Sequence, residues 1–269
     1  MCKERLGECV SHGGAVRPAT REPTRPAFRR RHYMSARHLE TAAACAKDSG
    51  TASGEEVGAL YRRAAALYSQ ASRPQAAAEA LARGGKAVDG LDSSLSVELF
   101  LEACALFEEE GKDVYAMDTY RAAEAAMIKT EKLGEAVTVF LRHAGACDRV
   151  GSHASLARCY LSAVIVYLTM CDPVGAEHGY HDFMEVDSFE KSEEARAAWE
   201  LLDAYQQGDV AALKKVTARG VFTGLEQCVI KLAKKLPVGD FAGQAAKLNA
   251  ARGGGPSADA AALESEDLT

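Results

Sequence analysis

No stretch of this 269-residue chain reaches the ~18 consecutive apolar residues that a membrane-crossing helix needs. The longest candidate, YLSAVIVYLTMC at 160–171, is too short and reads as a buried core helix. Residues 1–33 lack the apolar run of a secretory signal. The eight cysteines, at 2, 9, 45, 104, 147, 159, 171 and 228, contain no CxxC pair and no regular spacing. Most sit in alanine- or leucine-rich segments, which argues against a disulfide framework and for buried thiols in a reduced cytosolic or nuclear protein. The glycine triplet at 253–255 is followed by neither helix nor lysine, so it is a linker and no phosphate loop. No nucleophile–base pair can be argued from spacing, and no enzymatic activity or cofactor is expected. The nearest approach to a metal motif is HGYH at 178–181, with His178 and His181 seven and ten residues after Cys171. No fourth ligand is placed by spacing, and two partly exposed helix histidines are the simpler reading. The run Glu108-Glu109-Glu110 reads as a solvated helix end.

What is present is alanine, in a chain only 7% aromatic and 26% charged. Alanine favours helices that pack closely. The net charge of −6 divides into +5 on residues 1–33 and −11 on the remainder. So acidic a body argues against nonspecific nucleic-acid binding, which needs a phosphate-neutralising basic face.

A repeat organises the body. A large apolar residue precedes an alanine by nine positions in four pairs: Tyr68 and Ala77, Phe107 and Ala116, Met127 and Ala136, Tyr167 and Ala176. These alanines are 39, 20 and 40 apart, which gives a unit of about 40 residues and a half-unit of about 20. That period is the signature of stacked helical hairpins. The chain LLDAYQQGDVAAL at 201–213 carries a tighter fifth version. Helices are expected near 35–48, 55–70, 74–88, 93–110, 113–129, 132–149, 153–170, 173–185, 191–206, 209–217 and 224–236. Gly50, Pro74, Gly90, Gly111, Gly151, Pro173 and Gly208 punctuate the breaks. In DSSLSVE, 92–98, a serine is the expected cap, with Glu98 available to the first turn. The fold class is therefore all-α, a tetratricopeptide-like solenoid. Residues 34–190 form the repeats, 191–240 a C-terminal helical bundle and 241–269 a flexible acidic tail. Residues 1–33 are expected to be an unstructured basic leader or a misassigned start, with ordered sequence beginning near Met34.

The segments RHLETAAACAKD (37–48), LYRRAAALYSQASRPQAAAEALARGGKAV (60–88), FEEEGKDVYAMDTYRAA (107–123), YLSAVIVYL (160–168), LLDAYQQGD (201–209) and CVIKLAKKLPVGD (228–240) resemble the gamma form of the soluble NSF attachment proteins. The closing SEDLT is similar to that of plant-type members. The resemblance covers roughly residues 35–269. It implies a twisted helical sheet capped by a C-terminal bundle. It also implies an adaptor that lies along assembled, syntaxin-type SNARE bundles and recruits the AAA ATPase NSF, which pulls the bundle apart. The implied location is cytoplasmic, peripheral to endomembranes. Members of the family begin with further helical hairpins, and here the basic leader stands in their place.

Two sites follow from the resemblance. Family members dock an acidic C-terminal end on the ATPase and couple it through a terminal leucine, which Glu264, Glu266, Asp267 and Leu268 match in type and position. Carboxylates on a mobile tail steer toward a basic surface, and one apolar side chain can seat in a pocket. Basic residues on one face meet the acidic SNARE bundle, and Arg121, Lys129, Lys132 and Arg142 are the candidates. The competing class is a generic helical-repeat scaffold with no ATPase partner.

Overall fold

The computed structural model describes residues 25–236. Among these residues the backbone forms thirteen helices and no strand. In order they are α1 (Arg25–Asp48), α2 (Gly54–Gln70), α3 (Pro74–Val88), α4 (Ser93–Glu109), α5 (Asp113–Lys129), α6 (Leu133–Val150), α7 (His153–Thr169) and α8 (Pro173–Met184). Then follow α9 (Asp187–Glu190), α10 (Glu193–Gln206), α11 (Val210–Thr217), α12 (Gly220–Thr223) and α13 (Gln227–Ala233). No described helix is long and apolar enough to cross a membrane.

The nine-residue spacing has a specific cause. Tyr68, Phe107, Met127 and Tyr167 each stand four residues before a residue in the left-handed region: Ser72, Gly111, Glu131 and Cys171, with φ of 57, 61, 58 and 58°. The next N–H reaches back to the carbonyl of the large residue. Arg73 donates to Tyr68 (2.9 Å), Lys112 to Phe107 (2.8 Å), Lys132 to Met127 (3.0 Å) and Asp172 to Tyr167 (3.1 Å). The left-handed residue itself donates to the carbonyl three before it. These paired bonds are Schellman caps, which satisfy the last carbonyls of a helix while reversing the chain. The donor of the long bond is already the residue preceding the next helix. The conserved spacing then makes each alanine the fourth residue of its helix, and Ala77, Ala116, Ala136 and Ala176 are all fully buried. The same cap recurs at Gly50, Gly151 and Gly208.

Consecutive helices pack against one another from α1 to α8. The zigzag puts α1, α3, α5 and α7 in one layer and α2, α4, α6 and α8 in the other. Ion pairs tie the first three hairpins together within a layer. Arg83 of α3 reaches Glu40 of α1 at 2.6 Å, Arg62 of α2 reaches Glu102 of α4 at 2.6 Å, and Arg142 of α6 reaches Glu108 of α4 at 2.7 Å. The last turn of the solenoid is covered by the C-terminal helices. There α10 lies on α7 and α8, while α13 seats against α5 and α7.

Several boundaries differ from the sequence expectation. Helix α1 starts at Arg25, ten residues early, so residues 25–33 of the expected leader are helical. Arginine is a good helix former, and Tyr33 packs edge-on against Tyr68 with ring centroids 5.4 Å apart, so the run extends α1. The cap of α4 is Asp92, whose carboxylate accepts from the N–H groups of Ser94 and Leu95 at 3.0 Å each. Glu98 pairs with Arg62 instead of capping. The segments 191–206 and 224–236 are shorter helices preceded by single turns, α9 and α12. Glu108 is no solvated end: it accepts from the hydroxyl of buried Tyr120 and from Arg142. A buried phenol requires an acceptor, and Glu108 is the one within reach.

Candidate functional site

The four basic candidates fall on two layers. Arg121 and Lys129 belong to α5; Arg121 pairs with Asp118 (2.9 Å) and approaches Glu226 (3.5 Å), ahead of α13. Lys129 closes α5 and reaches the Asp89 carboxylate, just past α3, at 3.2 Å. Lys132 precedes α6 and donates to the Ser94 hydroxyl of α4 at 3.2 Å. Arg142 lies in the other layer on Glu108, whose hydrogen bond raises the guanidinium above its usual range. Three of the four are thus ion-paired within the chain, and Arg142 is not brought together with Arg121 and Lys129.

Lys129 has different company. Two adjoining depressions share it and Ala125. One is lined by Lys86, Asp89 and Phe100, the other by Ile128, Lys231, Leu232 and Lys235. The result is a groove between α3, α5 and α13 with an apolar floor and four lysines, three of which sequence reasoning missed. Their positions, 86, 129, 231 and 235, share no period, because α13 enters through the C-terminal cap and not through the repeat. The lysines at the ends of α3 and α5, 43 apart, were the available signal.

Glu264, Glu266, Asp267 and Leu268 lie outside the described residues. His178 and His181 are exposed on α8, and Cys171 is buried beside Tyr205, so HGYH does not converge with it. Potential metal ligands do converge one layer inward. His143 and Cys147, one turn apart on α6, meet Cys159 of α7, with one ligand atom from each lying within 4.8 Å of the others. His143 Nδ1 lies 2.7 Å from Glu124 Oε1 of α5, and the imidazole stacks on Tyr120 at 5.1 Å. Both side chains of the pair are almost fully buried, at 4% and 2% exposure, and His143 Nε2 has no hydrogen-bond partner. Burial raises the Glu124 carboxyl against the opposing pull of His143. Burial also works against a charged imidazole, yet contact with Cys147 and Glu124 lifts His143 to about 9. Cys147 is drawn down to about 5, chiefly by the Cys159 thiol, against burial, with His143 assisting; Cys159 is raised correspondingly. The signal for this cluster was His-x3-Cys on the inner face of α6, which reads in sequence as ordinary core.

Comparison with known proteins places this architecture. The profile of the family described as "Soluble NSF attachment protein, SNAP" matches residues 28–219, from α1 through α11. The chain is 39% identical over 208 residues to the gamma-soluble NSF attachment protein of Arabidopsis thaliana, covering 77% of this chain and 71% of that protein. It is 28% identical over 207 residues to the protein of the same name from Dictyostelium discoideum, covering 77% of this chain and 63% of that one. A family match across most of the chain, on an all-helical solenoid with the expected repeat, establishes that the chain belongs to the soluble NSF attachment protein family.

Proposed function

We propose that the chain is a non-catalytic adaptor that lies along an assembled, syntaxin-containing SNARE bundle and recruits and stimulates an NSF-type AAA ATPase, which takes the bundle apart. It would work in the cytoplasm, peripherally on endomembranes. The observation that carries this reading is the family match over α1–α11. The groove of Lys86, Lys129, Lys231 and Lys235 supports it: an apolar floor with a cationic rim suits an elongated acidic helical partner. Arg121 lies on the same layer beside α13. Glu264, Glu266, Asp267 and Leu268 are assigned to the ATPase, as steering charges and one seating side chain.

The test is ATP hydrolysis by an NSF-type ATPase with a preassembled SNARE bundle, alongside capture of the bundle by the chain. The wild-type chain should stimulate hydrolysis. Leu268→Ala should abolish stimulation while still capturing the bundle, and Lys129→Glu with Lys231→Glu should lose capture, most clearly at low salt. If stimulation is absent and removal of residues 251–269 alters no binding, the adaptor reading fails and a generic helical scaffold is left.

A further inference from the structure

We propose that His143, Cys147 and Cys159 bind one thiophilic d10 cation, Zn2+, which pins α6 to α7 beneath the C-terminal cap. Their one-per-residue ligand atoms already lie within 4.8 Å of one another, so tetrahedral bonds of about 2.0–2.3 Å require only small side-chain shifts. Glu124 supplies the supporting contact. Its carboxylate lies 2.7 Å from His143 Nδ1 and orients the ring, so a metal at Nε2 takes the place of any proton carried there. Nε2 is the independent sign of a ligand: it belongs to a 96%-buried side chain and makes no hydrogen bond of normal geometry, its ring being in contact with Cys147, itself one of the three donors. An unsatisfied buried nitrogen is costly unless a ligand takes it up.

The fourth position has room. A cavity of about 40 Å³ adjoins the cluster and is lined by Glu124, His143 and Cys159 together with Arg121, Arg158 and Glu226. It exceeds the ~10–15 Å³ that one water requires, so a water completes the tetrahedron. Binding releases the protons that the three donors hold, leaving both sulfurs as thiolates, and the bis-thiolate complex of a divalent cation is neutral. A neutral complex is compatible with this burial, where a bare cation would not be. Imidazole and thiolate donors select zinc over magnesium or calcium.

Metal content of the full chain, purified without chelators, decides the matter. One equivalent of zinc is expected, falling at least tenfold in Cys147→Ser and in Cys159→Ser and unchanged in Cys104→Ser, whose thiol is buried elsewhere in the core. Cobalt exchanged into the wild-type chain should show thiolate-to-cobalt charge transfer and tetrahedral visible bands. Added zinc should raise the Tm of the metal-stripped wild-type chain by about 5–10 °C. This last measurement does not depend on any variant folding. The proposal is overturned by less than a tenth of an equivalent of metal together with no zinc-dependent Tm shift. It is equally overturned by metal that persists in both serine variants, or by a cobalt spectrum lacking thiolate ligation.

Discussion

The helices before α4 and those after it are held together by different means. In the first region eight of the fifteen residues of the buried cluster are alanine, so little side-chain volume separates the backbones. Close approach replaces bulk: an added Cβ on Gly84 would meet Tyr61 at 2.8 Å, and one on Gly85 would meet the Phe100 ring at 2.7 Å. In the second region phenylalanine, tyrosine and leucine fill the space. Phe189, fully buried in the one-turn α9, touches Tyr160, Tyr180 and Phe183 with centroids 5.3 to 6.3 Å apart. The first region should therefore fail when volume is added and the second when volume is removed.

The largest effect is expected in the second region. Phe189→Ala should lower unfolding free energy by about 3–5 kcal/mol, measured by urea denaturation, because the aromatic cluster cannot collapse into the space left. In the first region, Gly85→Ala should destabilise by about 1–3 kcal/mol although alanine is the better helix former, since the Phe100 ring must move. Gly145→Ala in α6, whose nearest neighbour is the far end of Arg149 at 3.7 Å, is the control and should gain up to about 1 kcal/mol. Equal signs at Gly85 and Gly145 would erase the contrast. Next comes the cap of α5: Glu131→Gly should stabilise by about 1 kcal/mol, because glycine relieves the left-handed conformation at φ 58°. Smallest is the ladder between hairpins. Arg62→Met should cost about 0.5 kcal/mol and the loss should shrink in salt, since Arg62 and its partners are well exposed.

Much of the fold was legible because the cap and the buried alanine are local and recur. The ranges 74–88 and 113–129 are the observed bounds of α3 and α5. The start of α1 was not legible, since an arginine run has no apolar period and its order comes from Tyr33 on Tyr68. The four basic candidates were chosen by charge, but a linear sequence does not say that Arg142 pairs with Glu108 in the layer opposite Arg121 and Lys129. Lys231 and Lys235 reach Lys129 only because α13 folds back on α5.

By itself the sequence determined the repeat, its polarity and its hairpin length, because a Schellman turn and the small residue after it are written within ten consecutive positions. The tertiary structure alone decided which charges share a face and which buried groups meet. Glu124, His143 and Cys159 are brought together by the packing of α5, α6 and α7, and the helix periodicity that buries each of them is the same periodicity that buries an alanine.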